Sequence, residues 1–204
     1  MTRPVSLGVF FICACAWFVV LTVGWMQVAR WTSYPAASVA QIVLDSNALD
    51  WVESTQNEPG QLKARTKFKR ALPGNLVSTP VAVVEPAHYA YGTTLFLALL
   101  LAARSKRFVW WAMAGYVLLL IPQGFSLIFV LLSQIVREVP LQLLGISVWR
   151  ADAIMVCNVF GTIVLPTLAP VILWLRLEMV FFVSLIENAS FTRLSPQEKA
   201  RTYL

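Results

Sequence analysis

The chain carries one histidine, His88, and three cysteines, Cys13, Cys15 and Cys157, so catalytic or metal chemistry has few parts to draw on. A cysteine nucleophile needs a cation, a helix N-terminus or a histidine beside it to hold the thiolate. Cys157 stands in an apolar run seven residues after Arg150, about 10 Å along a helix. It reads as a packed thiol, and a Cys157/His88 nucleophile is the competing reading. There is no CxxC, HExxH, GxxxxGK[ST] or GxSxG motif, so no catalytic, cofactor or metal set can be assembled and no cofactor is expected.

Six ionisable residues, Glu85, His88, Arg137, Glu138, Arg150 and Asp152, flank apolar runs and are expected to gather at one interface. A histidine beside carboxylates can transfer protons. The simpler reading is that these charges anchor helix ends, with Glu85 or Asp152 paired to Arg137 or Arg150. A second charged feature is the strict alternation over 62–69, which puts Lys63, Arg65, Lys67 and Lys69 on one face of a strand and Leu62, Ala64, Thr66 and Phe68 on the other. Successive cations would lie about 6.6 Å apart, a spacing suited to lipid headgroups or an acidic protein segment. A lysine-rich face guarding an edge strand from aggregation is the bland alternative. The candidates for partner or lipid contact are therefore Lys63, Arg65, Lys67, Lys69, Glu85, His88, Arg150 and Asp152.

The elements that must hold these residues follow from composition. Of 204 residues, 58% are hydrophobic and 13% charged, and the mean hydropathy is +0.71. Soluble chains carry about 25% charged residues, so a water-soluble domain is excluded. The net charge of +6 is then a matter of which side of a membrane each cation occupies, and nucleic-acid binding is not expected. Residues 7–29 form an uncharged run of 23, about 35 Å of helix and enough for a hydrocarbon core of about 30 Å. A cleaved signal peptide is the rival, but the run exceeds the usual apolar region of about 7–15 residues.

Further spans are read at 87–103, 108–136 and 153–175. The third is overlong and carries Pro122 and Gly124, so a tilt or kink is expected. The fourth carries Asn158, Pro166 and Pro170, whose freed carbonyls require neighbouring helices. Gln123 and Asn158 read as interhelical amides. Tyr89, Tyr91, Trp110, Trp111, Trp149 and Trp174 read as interfacial anchors. The predicted fold is membrane all-α: a four-helix transmembrane bundle with a small extracytoplasmic α+β insertion, a helix plus a β-hairpin. Its segments are 1–29 (N-terminus and first span), 30–86 (insertion), 87–103, 108–136, 137–152 (outer loop), 153–175 and a tail at 176–204.

The short turn Arg104-Ser105-Lys106-Arg107 sets the orientation, because positive residues in short loops stay cytoplasmic. Both termini are then cytoplasmic and the insertion lies outside. Within the insertion, Ser33 and Pro35 introduce a helix over 34–48 with an apolar stripe of Ala36, Val39, Ala40, Ile42 and Val43, a helix suited to lie on the membrane. Strands at 49–55 and 62–69 flank the turn Asn57-Glu58-Pro59-Gly60, and 81–85 is expected to add a third strand. The tail reads as an interfacial apolar patch at 179–186 and a polar end at 190–204.

Two stretches carry a resemblance: residues 88–102, opening His88-Tyr89-Ala90-Tyr91-Gly92, and residues 160–174, containing Leu165-Pro166-Thr167-Leu168-Ala169-Pro170. With Pro122-Gln123-Gly124-Phe125 and the layout of spans, they resemble the exosortase H-associated membrane protein family. The resemblance implies a bacterial inner-membrane, multi-pass accessory protein that serves a transpeptidase-like sorting enzyme. Its expected partners are membrane lipid and exosortase H or that enzyme's substrates, which bear a short C-terminal motif, a transmembrane helix and a basic end. Val156-Cys157-Asn158-Val159 departs from the cysteine pattern of the exosortases themselves, which favours an accessory over an enzyme. An intramembrane Cys/His hydrolase or transpeptidase, and a small transporter subunit, are the alternatives.

Overall fold

The computed structural model describes residues 7–46, 51–72 and 76–193. Helix α1, Leu7–Thr32, runs almost directly into α2, Tyr34–Ser46, with a break at Ser33. Pro35 has no N–H to continue the ladder, and the Ser33 hydroxyl adds a second donor, at 2.6 Å, to Ala29 O, which also accepts from Ser33 N at 3.0 Å. The insertion then forms an antiparallel sheet from β1, Val52–Glu58, β2, Gln61–Thr66, and β5, Val81–Val84, in the order β1-β2-β5. A smaller hairpin, β3, Arg70–Leu72, and β4, Leu76–Ser78, is a further element that the alternation pattern did not announce. A 3-10 turn at Pro86–Tyr89 leads to α3, Gly92–Ala102. There follow α4, Phe108–Glu138, the short α5, Leu141–Leu144, and α6, Val148–Val159; a π-turn at Phe160–Val164 joins α6 to α7, Leu165–Leu177, and α8 is Met179–Arg193.

Among the described residues three helices are long and apolar enough to cross a membrane: Leu7–Thr32, Phe108–Glu138 and the continuous run Val148–Leu177. At a rise of 1.5 Å per residue each exceeds about 35 Å. The four-helix count expected from sequence is therefore met only in part. Helix α3 has 11 residues, about 16 Å of rise, and Pro86 starts its approach as a 3-10 turn rather than as helix. None of its residues is exposed. It packs against α1, α4 and α7, the position of a helix that is apolar on every side. Phe96, Ala98 and Leu100 are fully buried, and the hydroxyls of Thr93 and Thr94 donate to Ala90 O and Tyr91 O at 2.6 Å.

The overlong third run is one helix that continues through Pro122. Its exposed apolar side chains, Val109, Trp110, Met113, Val117, Leu118 and Ile121, stop at Ile121. From Gln123 to Val136 most positions are buried, covered by α2, β5 and α6. The excess length thus serves as the floor of the insertion. There Leu62, Ala64, Ala82 and Val84 of the sheet meet Ala36, Ala37, Ala40 and Leu44 of α2 over Leu127, Leu131 and Ile135. The buried stripe of α2 is shifted from the expected one: Leu44 is inside and Ile42 is exposed. Helix α2 therefore lies on α4 and β1, with its alanines allowing close approach, and not with its apolar stripe on lipid.

A second core gathers Phe10, Phe96, Leu100, Leu119, Trp174 and Leu185. Phe10 stacks on Trp174 with centroids 5.4 Å apart and meets Phe181 at 5.7 Å. Trp174 is consequently a core residue, 3% exposed, and not the interfacial anchor expected of it. Residues 179–186 likewise belong to a helix seated on this core; residues 194–204 of the expected polar end lie outside the described residues.

Candidate functional site at the outer end of the first helix

The hairpin turn is Pro59-Gly60, with Asn57 and Glu58 still in β1 and Glu58 opposite Gln61. Pro59 precedes Gly60 at φ +94°, the arrangement of a type II turn. With no Cβ on Gly60, the stem of Arg30 lies across the turn, its Cγ 3.5 Å from where a Cβ would stand. Arg30 occupies the last turns of α1, so this contact fixes the hairpin tip to the end of the first long helix.

Between them opens a cleft of about 500 Å³. Its apolar wall is Trp25, Met26 and Ala29 of α1; its polar rim is Arg30, Glu58, Gln61, Glu85 and His88. Lys63 Nζ stands 2.8 Å from Glu58 Oε2, with both side chains partly exposed; such pairs contribute about 0–1 kcal/mol. The 3-10 turn after Glu85 brings His88 back beside it, Nε2 to Oε2 at 3.5 Å, again exposed. Arg30 has no ion pair among the described residues.

The interfacial residues named from sequence are divided. Glu85 and His88 share the cleft. Arg137 and Glu138 stand at the far end of α4, while Tyr89 packs beside Pro122, Gln123 and Ser126. Arg137 is 11 residues beyond Ser126, about 16 Å along the helix. Arg150 and Asp152 are exposed on α6 and have no ion pair among the described residues. Of the basic face, Lys63 and Arg65 lie on β2, Lys63 half-buried and Arg65 exposed. The strand ends at Thr66, which uses both its N–H (3.1 Å) and its hydroxyl (2.9 Å) on Pro80 O. Lys67 and Lys69 are exposed beyond it, so the four cations do not form one continuous strand face. Arg30, Glu58 and Gln61 were not singled out from sequence. The only signal was a cation closing the first apolar run and an acid beside Pro-Gly, 28 residues apart.

The stretches that carry the resemblance meet inside the bundle. A Cβ on Gly92 would lie 2.7 Å from Pro166 O and 3.0 Å from Pro170 Cγ, so only glycine lets α3 come this close to α7. Pro170 lacks the N–H that would occupy that carbonyl, and Gly92 fills the space beside it. Tyr89, Gly92, Pro122, Gln123, Ser126, Pro166 and Pro170 line one small gap there. Gln123 Nε2 and Asn158 Oδ1 are buried without a partner among the described residues, so neither makes the interhelical bond through these atoms. Ser126 makes it instead, donating to Gly161 O at 2.5 Å. Cys157 is half-buried on α6 and does not line the cleft that holds His88.

Comparison with curated proteins and with solved structures gives no match. The family model described as exosortase H-associated membrane protein matches residues 4–181, well over half the chain and inclusive of the cleft, the sheet and both stretches above, and the chain belongs to that family.

Proposed function

We propose that this protein is a non-enzymatic, multi-pass accessory protein of the bacterial inner membrane that assists an exosortase-type protein sorting and processing system. The observation that carries the reading is the family match over 4–181. The architecture supports it: a folded α+β insertion fixed to a long apolar helix can serve as a platform for a partner. In this reading both termini are cytoplasmic, the insertion faces outward, and Lys63, Arg65, Lys67, Lys69, Glu85, His88, Arg150 and Asp152 are the contact candidates for lipid and for exosortase H or its substrates.

Capture of the protein from native membranes in mild detergent tests this. An integral-membrane sorting peptidase is expected among the bound proteins, and its capture should fall when Lys63, Arg65, Lys67 and Lys69 are all changed to Gln. Loss of substrate processing by Cys157→Ala or His88→Ala, with protein level and complex intact, would replace the accessory role with an enzymatic one.

A further inference from the structure

On α1, Val19, Val23, Met26 and Arg30 follow at steps of four, three and four residues, which places them on one helical stripe. Val19, Val23 and Met26 are 62%, 62% and 73% exposed. The stripe is an uncovered apolar track that ends at a cation. From Val19 to Arg30 it runs about 16 Å, close to half of a hydrocarbon core of about 30 Å, the depth of one leaflet. Where the track ends, the cleft begins, and Met26 and Arg30 belong to both.

The charges of that cleft are complementary to a zwitterion. Arg30 presents a guanidinium with no ion pair among the described residues, a group whose fork geometry suits phosphate oxygens. Across the cleft, Glu85 meets His88 only at 3.5 Å, too long for a strong hydrogen bond, so its carboxylate can accept further donors. Glu58, already shared with Lys63, adds a second acceptor. A cation and a carboxylate at one mouth, above an apolar track of leaflet depth, match a phosphate, an ammonium and an acyl chain.

We infer that this cleft is a headgroup site for an amine-bearing zwitterionic phospholipid of the phosphatidylethanolamine class, with phosphate at Arg30, ammonium at Glu85 and acyl chain along Val19, Val23 and Met26. The primary ammonium brings N–H donors that a carboxylate can use; a quaternary ammonium has none and relies on a cage of Trp, Tyr or Phe rings, whereas among the residues lining this cleft Trp25 alone is of these types. An anionic glycerol headgroup satisfies Arg30 but leaves Glu85 facing like charge. The inference needs α1 to cross the bilayer and is independent of the sorting role.

The test is native mass spectrometry of the full chain in detergent, titrated with palmitoyl-oleoyl phosphatidylethanolamine, phosphatidylglycerol or phosphatidylcholine. Ethanolamine lipid is expected to bind about five-fold more tightly than the other two, the ratio given by one additional charge-assisted contact at a partly exposed site. Arg30→Gln should weaken its binding by about the same factor. Glu85→Gln should erase the preference over the glycerol lipid, and because this side chain is half exposed the variant retains the fold. Equal binding of the three lipids, or a preference that survives Glu85→Gln, would overturn the assignment. So would displacement of the lipid by inorganic phosphate alone, which marks a simple anion site. Loss of a protein partner by the Arg30 and Glu85 variants with lipid binding unchanged would give the cleft to a peptide and overturn it equally.

Discussion

Gln134 of α4 serves as a further strand for the edge of the sheet: its Oε1 accepts from Val83 N at 3.0 Å and its Nε2 donates to Val83 O at 3.0 Å. A primary amide offers the same donor and acceptor as a peptide unit, so one side chain satisfies both outward groups of an edge residue and blocks another strand from pairing there. Because α4 is also one of the helices long and apolar enough to cross a membrane, this pair ties the register of the sheet to that helix. Gln134→Leu should destabilise the insertion by about 1–2 kcal/mol, the sum of two partly exposed hydrogen bonds. The expected signature is faster hydrogen exchange at the Val83 amide and earlier proteolysis within 52–84, with the helical bundle unchanged. Unaltered exchange at Val83 would show that the amide is incidental.

Ser126 answers a different need. In the π-turn, Leu165 N donates five residues back, to Phe160 O, and Pro166 has no N–H, so the carbonyl of Gly161 receives no donor from its own helix. Ser126 supplies one at 2.5 Å. Its hydroxyl also lies 2.8 Å from Pro122 O on its own helix, but the single proton is needed at Gly161. Ser126→Ala should cost about 1–2 kcal/mol, read as a lower melting temperature in a fixed detergent. A Cβ on Gly161 would stand 3.1 Å from Ser126 Cα, so Gly161→Ala should separate α4 from the π-turn. The two losses should be less than additive, because the bond cannot be lost twice.

The uncharged runs at 7–29 and 108–136 announced α1 and α4 directly, since charge is what lipid excludes, and Pro35 and Pro59-Gly60 marked the start of α2 and the hairpin turn by local backbone chemistry. The third strand was also legible, as Val81–Val84 paired with β2. What failed to show was every feature decided by a distant partner. An apolar run does not say whether its neighbours are lipid or helices, so nothing in 87–103 announced that α3 packs against α1, α4 and α7. The alternation over 62–69 is real, but Thr66 finds Pro80 and the strand stops there. Gln134 reads as an ordinary polar residue in an apolar helix, because Val83 is 51 positions away. The cleft is invisible for the same reason: Arg30, Glu58 and Glu85 meet only after α1, the hairpin and the 3-10 turn are assembled.

The exposed cations permit a separation of folding from contact. Of Lys63, Arg65, Lys67 and Lys69, the described ion pairs include only Lys63 with Glu58, and that pair is partly exposed. Changing all four to Gln should therefore alter stability by no more than about 1 kcal/mol, seen as a nearly unchanged melting temperature. Binding to vesicles containing anionic lipid should fall and lose its dependence on salt. A large loss of stability would make these cations part of the fold and disqualify them as contact residues.

Gly92 provides the sharpest test of the bundle interior, because its substitution adds one methyl group against a carbonyl oxygen and a proline ring. At 2.7 Å from Pro166 O the new Cβ overlaps backbone, which cannot swing away as a side-chain tip can, so α3 must retreat from α7. Overpacking of this kind costs about 1–3 kcal/mol. Gly24→Ala is the control: nothing lies within 4 Å of a Cβ there, and within α1 alanine is the better helix former. Side by side in one detergent, Gly92→Ala should melt several degrees below the parent chain and Gly24→Ala at or slightly above it. Equal melting temperatures for the two variants would mean that α3 and α7 are not in contact at this point, and the convergence of Gly92, Pro166 and Pro170 would have to be abandoned.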